Sequence, residues 1–148
     1  MVETLTEVIL AAKKERGLTF EEIGTKLGRD KTWAAAAIMG QASMSREEAM
    51  IFADLFDLDE TAVAELQEYK LKGVLDQKIP TDPLIYRFHE INQVYGTTLK
   101  AVIQEMFGDG IMSAIDFSMD IQKKEDPNGD RVVVTYEGKF LPYKKWHG

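Results

Sequence analysis

The sequence predicts an α+β chain: an all-helical bundle over residues 1–79, then a small mixed domain over residues 80–148. Three observations carry that prediction. Capping-box start signals recur in the first half, each followed by apolar residues at helical spacing. Two prolines, Pro80 and Pro83, then interrupt the pattern. Beyond Gly110 the apolar period shortens from about 3.6 to about 2, the change from helix to strand.

Leu5, Val8, Ile9 and Ala12 make the first helical stripe, and Gly17 stops it. Thr19-Phe20-Glu21-Glu22 is a capping box opening a second helix, which ends near Gly28. Asp30 caps a third helix through Met39, closed by Gly40. Ser45-Arg46-Glu47-Glu48 is another capping box, for a helix with Ala49, Phe52, Ala53 and Phe56 on one face. Asp59 starts a fifth helix carrying Val63, Leu66, Tyr69 and Leu71. Five short helices with a tight turn between the second and third resemble the helix-turn-helix bundle of phage-repressor proteins. A helix that reads base edges needs Arg, Lys, Asn or Gln. The third helix instead offers Trp33 and the run Ala34-Ala35-Ala36-Ala37, a low-relief surface suited to packing against protein.

Charge argues the same way. The net charge is −7, with ten Lys/Arg against fifteen Asp/Glu in residues 1–80 and eight against ten afterwards. Neither half has the basic face that nucleic acid or an anionic membrane requires. The absence of cysteine excludes disulfides and thiolate metal sites, and two histidines, His89 and His147, are too few for a histidine-rich one. The first residues are acidic, without a basic signal region, and no apolar run reaches membrane-spanning length, so a cytoplasmic protein is expected.

In the second half Asp82 is an N-cap and Pro83 the first helical residue. This helix is expected to run to about Tyr95, with Gly96 as terminator. Leu84, Phe88, Ile91 and Tyr95 form its apolar stripe. Arg87 and Glu90 border that stripe, while His89 and Gln93 lie on the far side. Thr97 caps a further helix bearing Leu99, Val102, Ile103 and Met106, ended by Gly108-Asp109-Gly110. In the strand beyond, Ile111, Ser113, Ile115, Phe117, Met119 and Ile121 alternate with more polar residues, placing Ser113 on the inward, apolar face. Pro127-Asn128-Gly129-Asp130 is a turn, Arg131 to Tyr136 a second strand, and Glu137-Gly138-Lys139 leads into a short third segment ending at Pro142. So thin a domain is expected to complete its core by intertwined dimerisation.

Spacing alone makes Arg87 and Glu90 a common i, i+3 ion pair, worth a few tenths of a kcal/mol. A buried serine usually bonds nearby backbone. The surrounding words say more. Tyr86-Arg87-Phe88 with Glu90, then Gln93-Val94-Tyr95-Gly96-Thr97-Thr98-Leu99-Lys100-Ala101, then Phe107-Gly108-Asp109-Gly110-Ile111-Met112-Ser113-Ala114-Ile115, closely resemble the cyanase (cyanate hydratase, cyanate lyase) family. The resemblance continues through Asp126-Pro127 and Gly138-Lys139-Phe140-Leu141-Pro142, and more loosely covers the first half. Trp146-His147-Gly148 lies outside the pattern and is given no role.

The resemblance implies that Arg87, Glu90 and Ser113 are catalytic. It implies that cyanate combines with bicarbonate as co-substrate, giving carbamate and carbon dioxide, and that carbamate then yields ammonia. It further implies no metal or organic cofactor, no DNA role for the first half, and a homodecamer of five dimers with sites between subunits. A helix-turn-helix regulator and a non-catalytic oligomeric anion binder stay open as alternatives. Bottom-up chemistry adds the roles. Arg87 presents a fork to paired oxygens, and Glu90 orients it and handles protons at the cyanate nitrogen. Ser113 serves as a hydrogen-bond donor rather than a nucleophile, since bicarbonate supplies the attacking oxygen. Backbone N–H groups of the glycine turn before it are candidate extra donors. One arginine facing two anions and Glu90 is thin compensation, so the three residues are expected to be a fraction of a site that neighbouring chains complete.

Overall fold

The computed structural model describes residues 2–70, 79–144 and 146. The chain divides into two compact units, Met1–Gly73 and Val74–Gly148.

The first unit holds α1 (Leu5–Glu15), α2 (Phe20–Leu27), α3 (Lys31–Ile38), α4 (Arg46–Phe56) and α5 (Glu60–Gln67). Thr19 with Glu22, and Ser45 with Glu48, form the expected capping boxes. Thr4 with Glu7 forms a third at α1, written in the sequence as Thr-x-x-Glu but not read there. Gly28 closes α2 in the left-handed region at φ +69°, a conformation that favours glycine. Ile9, Ile23, Phe52 and Ile38 are fully enclosed, and the Phe52 and Phe56 rings pack 4.8 Å apart. Ala34, Ala37 and Ile38 of α3 are buried in this same core, so half of the alanine run packs inside its own bundle. Trp33 is half-buried under the Arg29 guanidinium, 4.4 Å from its ring.

Glu48 links the bundle's polar parts. Its Oε1 accepts from Arg29 Nε at 2.6 Å, and its Oε2 from the Ser45 backbone N–H at 2.8 Å. Burial pushes its carboxyl pKa up, but the bonds from Arg29 and Ser45 outweigh this and hold it below the usual 4.5. One expectation fails at the end of the unit. Because α5 stops at Gln67, Tyr69 falls beyond the helix and is fully exposed instead of joining the stripe. Leu71 lies outside the described residues.

The second unit holds α6 (Pro83–Phe107) and an antiparallel hairpin of β1 (Gly110–Lys124) and β2 (Arg131–Pro142). Asp82 caps α6 by accepting from the Leu84 and Ile85 N–H groups, with Pro83 in the first turn. Two sequence expectations are corrected here. Gly96 does not end a helix and Thr97 does not start one, since α6 runs unbroken for 25 residues. A mid-helix glycine costs about 1 kcal/mol relative to alanine but removes no hydrogen bond, so the helix passes through it. It stops at Gly108, whose φ is +91°. Nor is there a third strand segment: Arg131 to Pro142 is one strand, because β1 bulges to stay in register with it.

The apolar stripe of α6 exists, yet among the described residues of the second unit nothing buries it. No residue of α6 is buried; Leu84 is 69% exposed, Ile91 47% and Tyr95 56%. Burying such side chains fully contributes about 1.5–3 kcal/mol each. Among the described residues no helix is long and apolar enough to cross a membrane.

Candidate active site

Arg87 and Glu90 lie in the second turn of α6. The i, i+3 spacing puts them on neighbouring positions, and Arg87 Nη1 donates to Glu90 Oε2. The Arg87 guanidinium also stands 5.5 Å from the Tyr86 ring, and Tyr86 packs its other contact against His89, with ring centroids 5.7 Å apart. The pair is half-exposed, so the fork keeps donors for an incoming anion.

Ser113 sits where β1 leaves its ladder. Met112 pairs with Phe140, but the next pair is Phe117 with Gly138, so residues 113–116 bulge. The Ser113 Oγ closes the bulge by accepting from the N–H groups of Ile115, at 3.1 Å, and Asp116, at 2.9 Å. With both acceptor sites engaged, its own hydrogen remains for donation. Ser113 is 6% exposed. The bulge breaks the expected alternation: Ile115, read as sharing the inward face with Ser113, is 97% exposed. In the glycine turn the Gly108 N–H is taken by the Gln104 carbonyl in capping α6, so that group is not one of the candidate extra donors.

The unbroken helix separates the candidate residues. Twenty residues of helix put Arg87 about 30 Å along the axis from Phe107. The six residues on to Ser113 span at most about 20 Å even if fully extended. The first of them turn back only beside the last turns of α6, where Ile111 and Met112 share a cavity with Lys100 and Ile103, and Lys100 is itself about 20 Å of helix from Arg87. Helix and hairpin meet over the last turns of α6, where Phe107 stacks on Phe140 at 5.1 Å and Gln104 Nε2 donates to Asp109 Oδ1. One chain therefore brings Arg87 to Glu90 but leaves Ser113 apart from both. Among the described residues no three His, Asp or Glu side chains converge as a metal site would require.

Gly138, read from the sequence as part of the step into a third segment, instead lies inside β2 and faces Ser113. A Cβ there would fall on the Ser113 carbonyl oxygen and 2.6 Å from Met112 Cγ. The signal was present, since a glycine inside a strand marks a bulge or a close backbone approach.

Two family models match the chain: "Cyanate hydratase, N-terminal" over residues 3–69 and "Cyanate lyase C-terminal domain" over residues 77–145. A cyanate hydratase of Synechococcus sp. (strain CC9311) is 61% identical, covering 97% of this chain and 95% of the relative. The chain belongs to the cyanate hydratase family. Another cyanate hydratase, from Synechococcus elongatus, is 56% identical over 99% of this chain and all of its own. The crystal structure of cyanase from T. urticae matches with a TM-score of 0.82 at 38% identity, covering 94% of this chain and 97% of that one. The helical first half thus matches a cyanate hydratase domain, and the regulator reading finds no support in these relatives. The α+β architecture is that of the cyanase structure.

Proposed function

We propose that this chain decomposes cyanate with bicarbonate, at sites that Arg87, Glu90 and Ser113 of neighbouring chains build together. In a member of the cyanate hydratase family, the observation that favours this site is the pairing of two devices. Arg87 is a fork oriented by Glu90. Ser113 is a buried hydroxyl whose acceptor sites are filled, so that it donates.

The chemistry needs little more. An oxygen of bicarbonate attacks the cyanate carbon, forming one C–O bond. A C–O bond of the former bicarbonate then breaks and releases its carbon as carbon dioxide, leaving carbamate. The nitrogen gains two protons, one from bicarbonate and one from solution. Carbamate takes up another proton and falls to ammonia and carbon dioxide. No carbon changes oxidation state, so no redox cofactor is required. The barrier lies in holding two anions together, which fixed donors and cations overcome.

Arg87 binds paired anion oxygens bidentately. Ser113 donates to an oxygen of the same bound pair. Glu90 holds Arg87 and relays protons toward the cyanate nitrogen. One arginine does not balance two anions, so several copies of Arg87 gather around each site in a homodecamer of five dimers. The uncovered stripe on α6 supports such assembly.

The test is ammonia release from cyanate, with and without added bicarbonate. Release that depends on bicarbonate is expected. Absence of such release overturns the proposal, and anion binding without turnover favours the non-catalytic binder instead.

A further inference from the structure

We propose that Gly138 is a positioning residue for Ser113, leaving open the space that the Met112–Ser113 backbone occupies and so fixing where the Ser113 hydroxyl stands. The inference rests on the reading above that Ser113 donates to a bound anion.

From the pair Met112 and Phe140 to the pair Phe117 and Gly138, β1 takes five steps while β2 takes two. The surplus backbone folds into the bulge that Ser113 Oγ ties to the Ile115 and Asp116 N–H groups. Gly138 faces that bulge at close range. A side chain on it would meet the Ser113 carbonyl oxygen, with Met112 Cγ at 2.6 Å and Met112 Sδ at 3.3 Å. Non-bonded carbon atoms prefer separations of about 3.5–4 Å. The Met112 thioether is flexible and can swing aside. The Ser113 carbonyl is backbone, so moving it carries the hydroxyl with it. A donor displaced by even part of an ångström loses its alignment with a bound anion.

A merely structural glycine would give a different pattern, because its effect would not pass through the Ser113 hydroxyl. The experiment compares Gly138→Ala, Ser113→Ala and the double variant in the full chain, by ammonia-release kinetics and a crystal structure of Gly138→Ala. Gly138→Ala is expected to lower kcat/KM about ten- to a hundredfold, with the same split between kcat and KM as Ser113→Ala. In the Ser113→Ala background its further cost should be under about twofold. The crystal structure should show Ser113 Oγ displaced from its two N–H partners, with the assembly size unchanged.

Activity within about twofold of the parent, equal losses in both backgrounds, or an unmoved Ser113 Oγ would each overturn the proposal. So would failure of Gly138→Ala to fold or assemble, which would make the role structural. Adding Met112→Ala to Gly138→Ala relieves the side-chain obstruction only. Recovered stability without recovered activity supports the proposal, and recovered activity contradicts it. Failure of the underlying catalytic reading is seen separately, as absent bicarbonate-dependent ammonia from the unmodified protein.

Discussion

Arg87 and Ser113 lie toward opposite ends of the unbroken helix α6, with twenty of its 25 residues lying beyond Arg87, up to its last, Phe107. The helix continues through Gly96 to Phe107, and the hairpin leaves from its far corner. Charge counting asks for more than one arginine at a two-anion site. The helix adds an independent argument for the proposed site shared between chains, since its 25 residues set this arginine and this serine far apart in one chain.

The Arg87 fork is open to a direct test. Lysine keeps the charge but offers a point donor in place of two parallel N–H groups, so it cannot hold Glu90 through one nitrogen and grip an anion bidentately with the rest of the fork. Arg87→Lys is expected to lower kcat/KM about 30- to 100-fold, a loss of about 2–3 kcal/mol. Near-parent activity would remove the bidentate role.

In the helical unit, Glu48 makes stability depend on pH. Its folded pKa is depressed, through bonds from Arg29 and Ser45 that exceed the opposing effect of burial. A depressed carboxyl stabilises the fold above its unfolded pKa and loses that contribution as pH falls through the lower folded value. Glu48→Gln should therefore cost about 1–2 kcal/mol near pH 7. Its deficit against the parent should shrink as pH falls below the usual 4.5 and on through the lower folded value, where the parent's carboxylate protonates. Thermal unfolding followed by circular dichroism at neutral and acid pH reads this out, and a deficit that does not narrow in acid would contradict it.

Much of this was legible from residue order. Thr19, Ser45, Asp30, Asp59 and Asp82 announced their helices because capping is local chemistry. Ser113 was correctly placed on the inside. The misreadings involve choices that local chemistry leaves open. Gly96 and Gly138 both looked like punctuation. In the structure one rides inside a helix, and the other marks a close backbone approach. A glycine permits a break but does not compel one, and here continuity wins. The bulge at residues 113–116 was hidden because alternation assumes a regular ladder, and it turned Ile115 outward.

The uncovered stripe on α6 predicts assembly. Ile91 lies between Arg87 and Tyr95 along the helix and is half-exposed in a single chain. Ile91→Asp should place an unpaired carboxylate in the contact between chains, a cost of several kcal/mol. Light scattering should then show the population shifting toward the 16.7 kDa monomer, with ammonia release falling in step. An unchanged assembly would show that this face is not an interface.

The most direct test of a divided site is to mix two inactive variants. Arg87→Ala and Ser113→Ala chains, each impaired alone, are unfolded together and reassembled, or co-expressed, before bicarbonate-dependent ammonia release is measured. If Arg87 and Ser113 of different chains serve one anion, hybrids regain activity, up to about a quarter of sites for a two-chain site at equal mixing. If the mixture stays as inactive as its components while hybrid assembly is verified by mass, the two residues act within one chain and the account is wrong.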